Sequence, residues 1–424
     1  MDLVIGGGVT GLSYGAFTRN EYRIVEAASE IGGYCKTIRR NGFTWDYSGH
    51  FFHFRNEAIK KWLIDNVQDE LLDVEKITHI SYKDRYIDFP FQKNIHQLDQ
   101  QDFIDCLYDL VYKADMDVKS FKDFVISRFG KSIAELFLIP YNEKLYATDL
   151  DKLDKDAMGR FFPDADLKDI ISNFRVSDGA SYNSTFTYPR GGAIEYIRAI
   201  ERRVDPECLE LNKRLTAIDP AAKTATFSDG EVVEFDNLIN TMPLPKLLDI
   251  CNIDYDRSKF TANKVAVFNL GFDRPAKQNS HWVYFPQKEL CFYRIGYYSN
   301  IFGDDRMSLY VEIGLESDAE IDREALLAQV LKDLEKMDVV DGHQLVDHEF
   351  LVMAPAYVHI SKESEEEKAR VLAQLAESNI YSAGRYGAWT YCSIEDNIIE
   401  ALNLSLKLEE TTSIEIGKLR LAVS

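Results

Sequence analysis

The sequence predicts a mixed α/β fold in which a nucleotide-binding sheet domain is combined with an inserted helical subdomain and an antiparallel β-sheet domain. Three observations predict it. A GxGxxG turn follows an apolar strand at the start of the chain, residues 100–175 carry apolar residues at helical spacing, and residues 262–315 alternate aromatic and polar residues. At 424 residues, the chain is long enough to bury a large core and to form two or three lobes.

The first element is a βαβ unit of the Rossmann-like, dinucleotide-binding type. An apolar strand runs into Gly6, Gly8 and Gly11, and Glu26 ends a second apolar strand twenty residues after Gly6. These glycines permit a tight turn, close approach of the backbone to a pyrophosphate, and close packing of helix on strand. The pyrophosphate then lies on the helix N-terminus, and the carboxylate binds the ribose hydroxyls.

The residues after Glu26 favour FAD as the dinucleotide, with NAD as the alternative. Gly32 and Gly33 follow the acidic residue closely. A Gly-Gly pair in this place brings the chain back across the diphosphate in many FAD-binding proteins, whereas NAD domains of this type usually lack it.

The remaining elements complete the predicted architecture. Residues 41–100 mix aromatic strands and turns, a β-meander over residues 209–242 returns to an apolar strand at 237–241, and residues 318–338 form an acidic amphipathic helix. We place the strand at 237–241 back in the nucleotide-binding sheet, and the end of the chain is predicted as strand, glycine turn and helix. The predicted domains are a discontinuous FAD-binding domain (1–80, 205–245 and 378–410), a helical subdomain (100–175), and an antiparallel-sheet substrate domain (80–100, 180–200 and 255–360).

Charge and cysteine content restrict the partners and the compartment. The net charge of −21 argues against a nucleic-acid or anionic-membrane partner, although a local cluster of arginines would still bind an anionic substrate. The six cysteines form no CxxC motif and no metal-like cluster with histidine, so we expect reduced thiols and no metal. No leader precedes the first strand and no apolar run reaches the roughly 20 residues of a membrane span, so we expect a cytoplasmic protein.

Several segments together resemble the UDP-galactopyranose mutase family, especially its eukaryotic-type branch, within the amine-oxidase-like FAD superfamily. They are IDFPFQKNI (87–95), LFLIPYNEKLYA (136–147), TFTYPRGGAIEYI (185–197), HWVYFP with CFYRIGYYSN (281–300) and SAGRYGAWTY (382–391). The PFQKN, PYNEK and WVYFP…FYR segments carry the specificity of the resemblance, because the glycine-rich start and the GRYG turn are shared broadly by FAD proteins.

The resemblance implies a particular chemistry. The family interconverts the pyranose and furanose forms of a UDP-sugar with no net redox change. N5 of reduced FAD attacks the anomeric carbon, UDP leaves, and the sugar ring opens and recloses on the flavin before UDP adds again. Such a site requires cations for the diphosphate and aromatic surfaces for uracil and sugar. The eukaryotic-type resemblance also suggests NAD(P)H as the reductant.

The resemblance assigns roles to individual residues. By local motif, Arg294 and Arg385 match the two diphosphate-binding arginines, and His50 matches a histidine close to the flavin. The residues assigned to the substrate are Tyr284, Tyr357, Tyr391, Asn183, Tyr146, Phe91 and Gln92. Besides Gly6, Gly8, Gly11, Glu26, Gly32 and Gly33, those assigned to the cofactor are Gly49, Leu215, Gly384 and Asp396.

Two features leave alternatives open. Glu395 and Asp396 stand where the family has polar uncharged residues near the flavin pyrimidine. Two carboxylates would repel an anionic reduced flavin, so either they face away or the electronics of the flavin differ. The competing functions are an FAD oxidoreductase of the amine-oxidase or porphyrinogen-oxidase kind, and a non-catalytic module with the same dinucleotide fold. No motif indicates the sugar or an oligomeric state.

Overall fold

A computed structural model describes residues 1–113, 115–159, 162, 165–175, 185–416 and 419–422. The strands are β1 (Asp2–Ile5), β2 (Tyr22–Val25), β3 (Thr37–Arg40), β4 (Phe43–Asp46), β5 (Leu71–Glu75), β6 (Thr78–Tyr82), β7 (Arg85–Asp88), β8 (Thr185–Pro189), β9 (Leu209–Glu210), β10 (Leu215–Asp219), β11 (Thr224–Phe227), β12 (Val232–Glu234), β13 (Asn237–Asn240), β14 (Lys264–Phe272), β15 (Trp282–Tyr284), β16 (Arg294–Tyr297), β17 (Ser308–Leu315), β18 (Leu345–Met353), β19 (Ile380–Ser382), β20 (Ser413–Ile416) and β21 (Leu419–Ala422).

The helices alternate with these strands along the chain. They are α1 (Val9–Phe17), α2 (Glu57–Ile64), α3 (Gln100–Val111), α4 (Phe121–Phe129), α5 (Lys131–Ile133), α6 (Ile139–Tyr146), α7 (Leu167–Asn173), α8 (Ile194–Glu201), α9 (Leu244–Ile250), α10 (Tyr298–Phe302), α11 (Arg323–Lys336), α12 (Lys362–Ala376), α13 (Gly384–Gly387) and α14 (Ile394–Leu408). Within the described ranges, no helix combines the length and apolarity that crossing a membrane requires.

The nucleotide-binding sheet has the strand order β19-β13-β1-β2-β9, and its strands pair in parallel. The strand predicted at 237–241 is β13, which pairs with β1 as expected. Because all five strands run the same way, the residues that follow them meet at one edge. That edge brings together Gly6 after β1, Glu26 after β2, Thr241 after β13 and Gly384 after β19.

The second large sheet has seven strands in the order β18-β14-β17-β16-β15-β6-β7. It is antiparallel as predicted, except that β15 and β6 pair in parallel. Ala266, Phe268 and Leu270 of β14 pack in one hydrophobic cluster with Val330 and Leu334 of α11. This helix matches the one predicted at 318–338, but it begins later because the Asp322 side chain caps its first turn.

The helical subdomain predicted between residues 100 and 175 contains α3 to α7 around a core of aromatic and aliphatic side chains. A π-helical segment (Ala134–Leu138) joins α5 to α6 and precedes Pro140. Proline has no N–H to donate to the preceding turn, so the local register changes here.

Helix α2 lies within residues 41–100, where the sequence predicts strands and turns. Its N-cap, Asn56, accepts hydrogen bonds from the backbone of Ala58 and Ile59. Ile59, Trp62 and Leu63 lie on one helix face and are buried against the nucleotide-binding domain. The aromatic alternation just upstream concealed this short helical pattern.

Candidate functional site

The glycine-rich turn after β1 forms one wall of a cavity. A Cβ on Gly11 would lie 1.9 Å from the carbonyl oxygen of Gly6, so only glycine permits α1 to pack this closely. The turn that contains Gly8 lies close to the Gly32-Gly33 segment, since a Cβ on Gly8 would lie 3.9 Å from the Cα of Gly33. The Gly32 N–H also donates to the carbonyl of Gly7 at 2.9 Å.

Glu26 closes this turn from the end of β2. Its Oε2 accepts the Gly7 N–H at 2.7 Å, and its Oε1 accepts the Ala28 N–H at 2.8 Å. The carboxylate is therefore fixed in place at the cavity wall, with lone pairs left for hydroxyl donors.

The cavity has a volume of about 640 Å³ and runs from this turn toward the antiparallel sheet. The predicted residues that line it are Gly6, Gly8, Glu26, Gly32, Gly33, Gly49, His50, Leu215, Arg294, Tyr357, Arg385 and Tyr391. Gly11, Gly384 and Asp396 do not line the cavity, but each lies next to a residue that does. Tyr284, Tyr146, Phe91 and Gln92 are outside the lining, and Asn183 lies outside the described residues.

Arg385 reaches the cavity from the turn after β19. Its guanidinium carbon lies 4.8 Å from the ring centroid of Tyr391 and 5.2 Å from that of Tyr357. It donates to the carbonyls of Cys392 at 3.1 Å and Ala356 at 3.4 Å. Among the described residues, no carboxylate forms an ion pair with it, so its charge is held by aromatic rings and carbonyl dipoles alone.

Arg294 has different partners from Arg385, although the resemblance assigns both arginines to the diphosphate. It lies directly opposite Glu312 in the β16–β17 pairing, and its Nη2 donates to Oε1 of Glu312 at 2.8 Å while Nε donates to Oε2. Glu312 is only 1% exposed and also accepts the Ser48 hydroxyl. Arg294 is therefore neutralised by a buried carboxylate, in a geometry that uses two of its N–H groups.

Sequence reasoning missed Glu312. The available signal was an acidic residue inside the otherwise apolar run of β17, SLYVEIGL, because such a residue must be paired when it is buried.

His50 lies on the cavity wall, which Arg294, Arg385 and Glu312 also line. Burial lowers its pKa to about 4, with Glu312 raising it and Arg385 and Arg294 lowering it by charge. Its Nδ1 is buried and has no hydrogen-bond partner among the described residues. The imidazole is therefore neutral at pH 7 and retains hydrogen-bonding capacity.

An aromatic cluster lies beyond Arg294, outside the cavity lining. Tyr284 accepts a hydrogen bond from the Trp282 indole at 3.0 Å and packs edge-to-face on Tyr141 at 5.1 Å. Tyr141 in turn stacks on Phe137 at 5.2 Å. Phe137 and Tyr141 belong to the LFLIPYNEKLYA segment, but sequence reasoning selected Tyr146 there, whose hydroxyl is buried without a partner among the described residues.

Lys144, from the same segment, fixes the hairpin that carries Tyr284 and Arg294. Its ammonium donates to the backbone carbonyls of Phe285 at 3.0 Å and Gln287 at 2.8 Å, and also to that of Phe292. Burial lowers the pKa of Lys144 to about 8. This lysine is a structural cation that organises the β15–β16 turn.

The two carboxylates at the start of α14 both accept backbone hydrogen bonds. Asp396 forms a capping box with Ser393, accepting its N–H at 2.7 Å. Glu395 is 3% exposed, and its Oε1 accepts the N–H groups of Arg55 at 2.9 Å and Asn56 at 2.8 Å. Glu395 lines the cavity, whereas Asp396 does not.

Comparisons with known proteins agree with this architecture. A family model described as flavin containing amine oxidoreductase matches residues 19–403. A crystal structure of reduced UDP-galactopyranose mutase is 25% identical, with a TM-score of 0.89 over 96% of this chain and 93% of that chain. The resemblance drawn from the sequence motifs is confirmed by this likeness.

Two further solved structures share the fold. One is a candidate protoporphyrinogen oxidase from Exiguobacterium sp. 255-15, 17% identical, with a TM-score of 0.75 over 96% of this chain and 98% of that chain. The other is a CLA-producing fatty acid isomerase from P. acnes, 16% identical, with a TM-score of 0.66 over the same shares. At these identities the likeness concerns the fold alone.

Proposed function

The chain belongs to the flavin containing amine oxidoreductase family, and on this premise we propose that it is a flavin-dependent mutase that interconverts the pyranose and furanose forms of a UDP-sugar. UDP-galactose, or a close analogue, is the proposed substrate. The observation that carries the proposal is Arg385, a cation beside the cofactor cavity with two tyrosine rings and no carboxylate partner among the described residues. Such a cation favours an anionic, phosphate-bearing substrate over an apolar one.

The residues of the cavity fit FAD as the cofactor. Gly6, Gly8, Gly32 and Gly33 line the cavity without side chains, so a diphosphate could lie against their backbone. Glu26 lines it as well and is placed for the ribose hydroxyls. When bound and reduced, FAD supplies the nucleophile for the anomeric carbon of the sugar. Electrons for that reduction come from a donor such as NAD(P)H.

The arginines have unequal roles in the proposal. Arg385 binds the diphosphate and holds the UDP leaving group close to the sugar, with Tyr357 and Tyr391 shaping the site around its guanidinium. Arg294 is restrained by Glu312, so it provides a fixed N–H donor with little net charge. We propose that the Tyr284–Tyr141 cluster receives the uracil side of the substrate.

His50 contributes as a neutral group. With its pKa lowered to about 4, the imidazole adds no positive charge at pH 7 and can donate or accept one hydrogen bond near the reacting atoms. Tyr357 and Tyr391, which line the same cavity, limit the access of water to the bound sugar.

The proposal is tested by anaerobic incubation of the purified protein with UDP-galactofuranose, with and without dithionite, followed by chromatography. We expect UDP-galactopyranose only when the flavin is reduced, and much slower conversion in Arg385→Ala. Arg257→Ala is the control, because Arg257 is an exposed arginine paired with Asp249.

Other outcomes are informative. Absence of conversion of any sugar nucleotide in a panel, with FAD bound and reduced, would contradict the mutase assignment. Oxygen consumption with an amine or a porphyrinogen would then favour the oxidoreductase alternative.

A further inference from the structure

Glu395 joins two elements that both contribute residues to the lining of the cavity. It lies in the first turn of α14, and it accepts two backbone N–H groups from the end of segment 48–56. That segment carries Gly49, His50 and His53, all of which line the cavity. One buried side chain therefore links the position of the segment to that of the helix.

Glu395 does not need a negative charge to accept these two hydrogen bonds. Both N–H groups donate to the same oxygen, Oε1, and a glutamine carbonyl oxygen could accept them equally well. The first turn of a helix carries a partial positive charge, which favours a nearby anion. A carboxylate in that turn, at the cavity wall, offsets the charge that would otherwise stabilise an anion inside the cavity.

We propose that Glu395 is a positioning residue that anchors segment 48–56 and, through its charge, makes FAD bound in this cavity harder to reduce. Reduction transfers two electrons from dithionite and one proton from water to FAD, which then bears one additional negative charge. A buried carboxylate close by disfavours that product, because the two negative charges repel each other in a medium of low dielectric constant. The inference rests on FAD binding and is independent of the mutase reaction.

Two substitutions separate the two effects. Glu395→Gln removes the charge and retains an acceptor for the two N–H groups, whereas Glu395→Ala removes both. The matched control is Glu409→Gln, since Glu409 lies at the other end of α14, about 21 Å away, and its carboxylate also accepts a backbone N–H, that of Arg19.

The measurements are the midpoint potential of the bound FAD, by anaerobic equilibration with a reference dye, and hydrogen exchange of segment 48–56. We expect Glu395→Gln to raise the potential so that the reduced-to-oxidised ratio increases about tenfold, which is about 30 mV for a two-electron couple. Hydrogen exchange should be unchanged in this variant. Glu395→Ala should raise the potential as well, and should also speed exchange at Arg55 and Asn56.

Each result decides one part of the proposal. A potential in Glu395→Gln equal to that of the wild type and of Glu409→Gln would overturn the electrostatic role, whether or not the protein has mutase activity. Unchanged exchange at residues 55 and 56 in Glu395→Ala would overturn the anchoring role. If Glu395→Ala does not fold, the glutamine variant still tests the charge.

Discussion

Replacing Arg385 with alanine should weaken substrate binding and leave the fold intact, whereas replacing Arg294 should first destabilise the fold. Arg385 has no carboxylate partner among the described residues, so its removal leaves no buried acid unpaired. Loss of the charge-assisted bonds that we propose it makes to a diphosphate should cost about 2–4 kcal/mol of transition-state binding, or a 30- to 900-fold decrease in kcat/KM.

Arg294→Ala leaves the Glu312 carboxylate, 1% exposed, without its counter-ion. Removing one partner of such a buried pair costs about 3–5 kcal/mol of folding stability. The double variant Arg294→Met with Glu312→Gln should recover most of that stability, because no unpaired charge remains.

The assays are urea unfolding for stability, and UDP affinity together with kcat/KM of the reduced enzyme for function. The reasoning would be refuted by Arg385→Ala unfolding more easily than Arg294→Ala, or by unchanged UDP affinity in Arg385→Ala.

Three further predictions concern stability and cofactor binding. Burial lowers the pKa values of His50, His53 and His281 to about 4 in the native state. In the unfolded chain these histidines have a pKa near 6.5, so above that pH neither state is protonated and the native state is not penalised. As the pH falls from 6.5 toward 4, only the unfolded state takes up the protons, and the free energy of unfolding should fall by up to about 1.4 kcal/mol per pH unit for each histidine. Urea titrations at several pH values measure this loss. Glu26→Ala should weaken FAD binding about 30- to 100-fold in fluorescence titrations while leaving FMN binding unchanged, because FMN lacks the adenosine. Lys144→Met should lower the free energy of unfolding by about 2–4 kcal/mol, since three backbone carbonyls lose a charged donor.

The parts of the site that obey local rules could be predicted from the sequence. Gly6, Gly8 and Glu26 follow a fixed spacing around a strand, a turn and a helix, and the structure brings them together at one wall. Arg385 follows β19 in a glycine turn, so its approach to the same sheet edge is also locally determined.

The parts of the site that depend on strand register, or on how deep a side chain lies in the fold, could not be predicted from the sequence. Arg294 faces Glu312 because β16 and β17 pair with that register, which no local pattern specifies. Tyr357 and Tyr391 reach the cavity while Tyr284 does not, although all three are tyrosines in matched motifs. In each case the outcome depends on how far a strand or loop lies from the cavity in the assembled fold.

The strand order of the nucleotide-binding sheet has a consequence for biosynthesis. Its central strand, β1, begins at Asp2, while the neighbours β13 and β19 come from residues 237–240 and 380–382. A ribosome-bound chain therefore exposes the apolar edge of β1 until β13 has emerged, and the cavity cannot be completed before the arginine turn after β19 has been synthesised. Such long-range pairing slows folding and lengthens the interval in which aggregation competes. A protein truncated before residue 380 should be synthesised without ever retaining flavin.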